Sequence, residues 1–210
     1  MSRNPLITML AISVLVALVV SGLHPYDRAT WLMEVAPILI VVPLLILTYR
    51  RFPLSTVLYV LIAVHAVILM VGGAYTYAHV PFGFWLQDVL GTTRNPYDKI
   101  GHFAQGFVPA LAAREILLRS RYLTSRPMAA FLSICVALAI SACYEMIEWW
   151  SALAMGQGAD EFLGTQGDMW DTQSDMFFAL IGAVVAMLVM IRLQDRQIAV
   201  LAKDLPTGSR

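Results

Sequence analysis

The sequence predicts an all-α protein, a polytopic transmembrane helical bundle with about six membrane-spanning helices. Hydrophobic residues make up 59% of the 210 residues, whereas soluble domains reach about 45–50% even when glycine is counted. Charged residues make up only 13%, which is about half the usual share. Long apolar runs without the alternation of barrel strands must satisfy their backbone hydrogen bonds internally, and they are therefore expected to be helices.

Six apolar segments approach the length of about 20 residues that a membrane-spanning helix needs. In chain order they lie at 6–23, 31–48, 54–73, 98–118, 127–150 and 172–193. The first is expected to be an uncleaved anchor, because it lacks a small-residue cleavage site and five more segments follow. The loops between the segments are too short to form a second domain. Residues 1–210 are therefore predicted to be a single integral membrane domain.

The positive charges predict the orientation of these segments. If the N-terminus is cytoplasmic, eleven of the 14 Lys and Arg residues lie on the cytoplasmic side, and only Arg28, Arg94 and Lys99 lie outside. Short cytoplasmic loops collect Lys and Arg. All five tryptophans fall at the opposite side, where they would form one aromatic belt. We therefore expect both termini to be cytoplasmic and the loops 74–97 and 151–171 to lie outside.

Residues 80–90 form a short apolar stretch within the first of these outer loops. The stretch is too short to cross a bilayer and too apolar to be freely solvated. It predicts an interfacial or re-entrant helix, and an ordinary packed loop is the alternative.

Composition and motifs argue against several functional classes. Lys and Arg total 14 and so do Asp and Glu, so no net positive field attracts nucleic acid. Cys135 and Cys143 are eight residues apart on one predicted helix, about 12 Å, which is too far for a disulfide. The sequence contains no nucleophile elbow, HExxH motif or P-loop, so serine hydrolase, zincin and nucleotide-driven activities lack support. No organic cofactor is predicted.

Three pairs of polar residues stand at helical spacing near the outer ends of segments four, five and six. They are Asp98 with His102, Glu145 with Glu148, and Asp171 with Asp175, and each pair occupies one face of its helix. A charged side chain at the centre of a membrane helix costs about 2.5–3.5 kcal/mol and usually faces a bundle interior or an aqueous cavity. If the three helix ends converge, five carboxylates and one imidazole share a pocket.

Like charges at that density require a cation or shared protons, so the pocket is a predicted divalent-metal or proton site. Its donors suit magnesium, calcium, manganese or zinc. Glu145 and His102 are the predicted proton-handling, catalytic residues. Helix-start stabilisation by the dipole is an alternative role for Asp98 and Asp171, but it does not apply to Glu145, which sits late in its segment.

Three further residues are second-tier candidates for this pocket. Asp168 precedes Asp171 by one turn and is expected at the rim. Lys99, together with Arg94, is expected to offset negative charge or to hold an anionic headgroup. His24 lies at the first outer turn, where it would either join the pocket or shape the loop.

Four sequence motifs resemble the YjdF-type bacterial inner-membrane proteins, a family without an established activity. The motifs are Ser21-Gly22-Leu23-His24-Pro25, the run Arg94–Phe103 (RNPYDKIGHF), Tyr144–Trp150 (YEMIEWW) and Gly164–Met176 (GTQGDMWDTQSDM). The resemblance covers essentially the whole chain. It implies a multi-pass protein of the bacterial inner membrane, also called the cytoplasmic membrane.

A more distant resemblance is to VanZ-like membrane proteins, which are associated with resistance to glycopeptide-type antibiotics. Their pattern runs Asp-Lys-x-x-His-Phe, then Glu-x-x-Gln, then Asp-x-x-x-Asn. Asp98-Lys99-x-x-His102-Phe103 matches the first element and Glu145 matches the start of the second. Glu148 and Asp175 replace the glutamine and the asparagine, which makes this pocket more acidic.

Two main functional hypotheses follow from the pocket. In the first, the protein is an enzyme whose bound divalent cation polarises a lipid-linked or phosphate-bearing substrate of the cell envelope that enters from the bilayer. In the second, it is a proton- or cation-coupled transporter, for which Arg114 and Glu115 would be the only intramembrane charges on the far side. A non-catalytic membrane assembly protein is a further alternative. The expected partners are membrane lipids and a lipid-like or anionic small-molecule substrate, with no nucleic acid.

Overall fold

Helices account for most of the chain that the structure describes. The structure is a computed structural model and describes residues 5–155 and 166–204. In these ranges the helices are α1 (Pro5–Ser21), α2 (Arg28–Thr48), α3 (Thr56–Ala74), α4 (Pro81–Leu90), α5 (Tyr97–Arg119), α6 (Arg126–Met155), α7 (Asp171–Val189) and α8 (Ile191–Asp204). The described ranges contain no strand. The predicted outer loop 151–171 falls partly outside them, at residues 156–165.

The helices form a membrane bundle, which confirms the predicted fold class. Within the described residues, α2, α3, α6 and α7 are long and apolar enough to cross a membrane. Helix α1 is apolar but has 17 residues. Helix α5 has 23 residues and carries charged residues near both of its ends. The count of six spans stays a prediction.

The sixth apolar segment ends earlier than the sequence pattern indicates. It was expected to continue to residue 193, but α7 ends at Val189 and a separate helix, α8, begins at Ile191. The residues that follow Val189 include the polar side chains of Gln194 and Asp195, which accept hydrogen bonds from Arg114 of α5. The chain therefore changes direction at Met190 to bring these side chains to α5.

Helix α5 lies at the centre of the bundle. It packs against α3, α6 and α7, whereas α1 and α2 pack against α3. The contact between α5 and α7 is close because both helices present glycine: a Cβ atom at Gly106 would lie 1.8 Å from the Ala179 carbonyl oxygen, and one at Gly182 would lie 2.0 Å from the Phe103 oxygen. Small residues of this kind let membrane helices approach closely. The backbone of α5 therefore lies directly against that of α7.

We call the end of the bundle at which α5 and α7 begin the acidic end, and the other end the opposite end. At the acidic end, α2 begins after Asp27, whose carboxylate accepts a hydrogen bond from the Thr30 backbone N–H at 2.7 Å. This hydrogen bond lowers the pKa of Asp27. Such a cap satisfies one of the free N–H groups at the start of a helix.

Helix α4, Pro81–Leu90, lies within the stretch 80–90 for which an interfacial or re-entrant helix was predicted. It starts with Pro81 and ends at Gly91, whose φ of 65° is left-handed, a conformation that glycine adopts without steric cost. The position of α4 relative to a bilayer stays a prediction.

Buried Asn95 anchors the loop between α4 and α5. Its amide donates to the carbonyl oxygens of Ala78 and Val80, at 3.2 and 3.0 Å, and its Oδ1 accepts from the backbone N–H of Tyr97. The backbone of Asn95 also pairs with the side chain of Gln166. These bonds fix the loop that carries Arg94 against the segment that leads into α7.

Arg114 and Glu115, both fully buried, lie in α5 near the opposite end. Arg114 donates to Gln194 Oε1 and to Asp195 Oδ1, each at 2.8 Å. Glu115 accepts from the Ser55 backbone N–H at 2.7 Å, from the Ser55 hydroxyl, and from Arg119 at 2.8 Å. Buried charges of this kind require partners. Here they tie α5 to α8 and to the segment before α3.

Candidate metal centre

Three helices bring the predicted polar pairs together at the acidic end. Asp98 and His102 lie one turn apart in the first turns of α5, and Asp171 and Asp175 lie one turn apart at the start of α7. The glycine contact between α5 and α7 holds these two faces against each other. Helix α6 adds Glu145 from its second half. The convergence expected from the spacing is therefore present.

Asp98, His102 and Asp175 form the centre of this group. His102 Nε2 lies 3.3 Å from Asp98 Oδ1 and 3.7 Å from Asp175 Oδ2. All three residues are buried, and one ligand atom from each lies within 4.8 Å of the other two. Metal–oxygen and metal–nitrogen bonds of about 2.0–2.6 Å allow ligand atoms this far apart around one ion. The donor set of two carboxylates and one imidazole fits a divalent cation.

Lys99 and Arg94 offset the negative charge of the carboxylates on the side that faces away from His102. Lys99 Nζ bridges Asp171 Oδ1, at 2.9 Å, and Asp175 Oδ1, and it lies 3.6 Å from Asp98 Oδ2. Lys99 thus contacts the oxygens of Asp98 and Asp175 that face away from His102. The oxygens that face His102 Nε2 are the other two, Asp98 Oδ1 and Asp175 Oδ2.

Arg94 connects Asp98 and Asp171 to Asp168, which lies at the edge of the candidate metal centre. Its guanidinium contacts Asp171 closely, lies 3.2 Å from Asp168 Oδ2 and lies 3.8 Å from Asp98 Oδ2. Asp168 is more exposed than the others and accepts from the Trp170 backbone N–H at 2.9 Å. The structure therefore places Asp168 at the edge of the group.

The hydrogen bond at Nδ1 of His102 determines which ring nitrogen points at Asp98 and Asp175. Nδ1 lies 2.9 Å from Gln105 Oε1, and an amide oxygen only accepts, so Nδ1 carries the proton. In the neutral ring, Nε2 then presents a lone pair to Asp98 and Asp175. Three electron-rich atoms meet there, and the arrangement requires a proton or a cation between them. Protein ligands of metals commonly have this second hydrogen bond.

Glu145 lies behind His102. Its Oε1 is 3.8 Å from His102 Nδ1 and has no hydrogen-bond partner among the described residues, although the atom is buried. A buried carboxylate oxygen without a donor is costly. Its position is therefore suited to accept a proton or to bind a ligand that enters the group.

Glu148 borders this centre, whereas His24 does not. Glu148, one turn beyond Glu145, lines a cavity together with Glu34, Asp98 and His102. His24 is exposed in the loop between α1 and α2. The structure thus groups Asp98, His102, Asp175 and Glu145 closely, joins Asp171 and Asp168 through Lys99 and Arg94, and places Glu148 in the cavity that adjoins the centre.

Sequence reasoning did not select Glu34, Gln105, Tyr77 and Tyr144. Tyr144 donates to the Met33 carbonyl oxygen at 3.1 Å and to Glu34 Oε2 at 3.4 Å, so α6 meets α2 beside the centre. Glu34 could have been selected from the sequence, because it is a carboxylate inside the apolar segment that forms α2. The role of Gln105 had no signal, because it depends on the rotamer of His102.

Comparisons with known proteins agree with the motif resemblance. A family model described as "Predicted membrane protein (DUF2238)" matches residues 6–196. The chain is 62% identical over 188 residues to the inner membrane protein YjdF of Escherichia coli strain K12, a match that covers 90% of each chain. No solved structure matches the chain. The predicted kinship to YjdF-type proteins is confirmed.

Proposed function

This chain belongs to the DUF2238 family of predicted membrane proteins, and we propose that it binds a divalent cation at Asp98, His102 and Asp175 and acts there on a phosphate-bearing, lipid-linked substrate. One observation carries the proposal: two carboxylate oxygens and an imidazole nitrogen converge in a buried group. A cation among them neutralises the repulsion and leaves a Lewis acid beside the bilayer.

The surrounding side chains support an anionic substrate. Arg94 and Lys99 both contact Asp98 and Asp171, and they add positive charge to the acidic end on the side of the carboxylates that faces away from His102. Arginine and lysine are both common phosphate ligands. Glu145, whose Oε1 has no hydrogen-bond donor among the described residues, is the proposed general base, and its contact with His102 couples the two groups.

The opposite end supports this proposal over cation transport. A transport pathway needs polar groups that exchange partners through the depth of the membrane. Arg114 and Glu115 are instead fully buried themselves, and each is paired with specific neighbouring groups. We therefore assign these two residues to the stability of the fold.

Isothermal titration calorimetry of the purified protein with Mn²⁺ tests the cation site. We expect wild-type protein to bind Mn²⁺ and Asp98→Asn or Asp175→Asn to weaken binding by at least about 100-fold, since each removes a direct ligand. Glu145→Gln, which alters a group beyond the ligands, is expected to cost about tenfold. The control is Asp88→Asn, because Asp88 is an exposed carboxylate of α4. Equal affinity of wild-type and Asp98→Asn protein would reject the site.

We also propose that the protein lies in the bacterial inner membrane with six spans, both termini in the cytoplasm and the acidic end outside. In a Cys135→Ser, Cys143→Ser background, Asp88→Cys is expected to react with a membrane-impermeant maleimide added to spheroplasts. Tyr122→Cys, in the exposed loop between α5 and α6, is expected to react only after the membrane is opened. The reverse pattern would invert the topology.

A further inference from the structure

A cavity of about 730 Å³ leads away from the candidate metal centre. Its lining comes from α1, α2, α3, α5 and α6, and it includes Asp98 and His102. Ligand sites in proteins typically have volumes of about 300–1,000 Å³. The cavity therefore has the size of a binding site and begins at the candidate metal centre.

The cavity is long. Along α5 its lining residues recur every three or four positions from Asp98 to Ile116, a distance of about 27 Å at the helical rise of 1.5 Å per residue. This approaches the thickness of about 30 Å of the hydrocarbon core of a bilayer. An extended hydrocarbon chain of a membrane lipid therefore matches the length of the cavity.

Polarity changes along this length. The carboxylates of Glu34 and Glu148 and the hydroxyls of Tyr77 and Tyr144 line the acidic end. Beyond Gln105 and His65, the lining is chiefly apolar. It includes Ile38, Val42, Leu45, Ala63, Ala112 and Ile116. One polar end and one long apolar body match an amphiphile rather than a hydrated pathway.

The cavity also borders the surface that faces lipid. Helices α1 and α2 pack extensively on α3, and α6 packs on α5 and α7. Tyr144 links α6 to α2 near the acidic end. Closer to the opposite end, the cavity is lined by Ile46 of α2 and by Val136 and Ile140 of α6. These side chains are also exposed, with relative accessibilities of 63%, 40% and 43%, respectively. A lipid chain can therefore enter sideways between α2 and α6.

We propose that this cavity binds a hydrocarbon chain of a phosphate-bearing membrane lipid whose headgroup lies beside Asp98 and His102. The assignment of the headgroup rests on the proposed function. The position of the chain rests on the length and apolar lining of the cavity. The substrate class is thus a lipid phosphate rather than a soluble phosphate ester.

Photolabelling of the full-length protein in nanodiscs tests the chain site. The probe is a single-chain alkyl monophosphate with a diazirine at its methyl end, and the alcohol of the same chain is the second probe. We expect the label on cavity-lining residues near Ile116 and Tyr49. Ala63→Phe and Ala112→Phe fill the cavity and should reduce that labelling at least fivefold. Ala139→Phe adds the same bulk at an exposed position of α6 that does not line the cavity, and it should change nothing.

The outcomes separate the two proposals. An unchanged thermal-unfolding midpoint, followed by tryptophan fluorescence, shows that the filled variants are folded whether or not the protein binds Mn²⁺. Labelling confined to lipid-facing residues such as Leu188, or labelling that the filled variants leave unchanged, overturns the chain site. If the phosphate and the alcohol label the cavity equally and Asp98→Asn has no effect on either, the chain site stands and the proposed role of the cation fails.

Discussion

Gly182→Ala is expected to destabilise the protein by about 3 kcal/mol and to weaken Mn²⁺ binding at the acidic end. The new Cβ atom would lie 2.0 Å from the Phe103 carbonyl oxygen, and a backbone atom in a helix cannot move aside alone. Helices α5 and α7 must separate, which draws Asp175 away from Asp98 and His102. Gly106→Ala, on the facing helix, is expected to have the same effect. Thermal unfolding in detergent and Mn²⁺ calorimetry measure the two consequences.

The control for this experiment is Val184→Ile. Val184 lies two residues after Gly182 on the exposed side of α7, so the change adds one carbon on the same helix without entering the contact. We expect it to alter the free energy of unfolding by less than about 0.5 kcal/mol. Wild-type stability and Mn²⁺ affinity in Gly182→Ala would show that the glycine contact does not position the site.

Glu115→Ala is expected to cost about 3–5 kcal/mol, the loss typical when one partner of a buried charge pair is removed. Glu115 is fully buried, and its carboxylate accepts hydrogen bonds from both polar groups of Ser55 and from Arg119. Without it, Arg119 loses its carboxylate partner and retains the Pro53 carbonyl oxygen, while the Ser55 N–H loses its acceptor. The midpoint of thermal unfolding should fall by about 10 °C, as followed by tryptophan fluorescence. Mn²⁺ affinity should stay at its wild-type value in the folded protein, because the acidic end is distant.

Two further variants define the origin of that loss. Glu115→Gln keeps the shape and one acceptor oxygen but removes the charge, so it should be less destabilising than Glu115→Ala. Arg50→Ala removes an exposed charge from the loop that follows α2 and should stay within about 0.5 kcal/mol of wild type. If Glu115→Ala is no more destabilising than Arg50→Ala, the buried ion pair does not stabilise the fold.

The helical membrane class and most helix positions follow from the sequence, because both depend on local composition. The predicted segment 98–118 corresponds to α5, Tyr97–Arg119, and 54–73 corresponds to α3, Thr56–Ala74. The lipid environment requires each apolar run to satisfy its own backbone hydrogen bonds, so length and hydrophobicity are sufficient. The start of α8 could not be predicted in this way, since the partner of its polar residues, Arg114, is about 80 positions away.

In the candidate site, too, the sequence predicted the relations within single helices, and the tertiary structure decided the contacts between helices. Helical periodicity determined that Asp98 shares a face with His102 and that Asp171 shares one with Asp175, because those relations lie within single helices. Only the tertiary structure decided that Asp175 meets His102 and that Lys99 contacts the far oxygens of Asp98 and Asp175. It likewise decided that a cavity begins there. These features depend on the approach of separate helices, and for α5 and α7 that approach is set by the absence of side chains at Gly106 and Gly182.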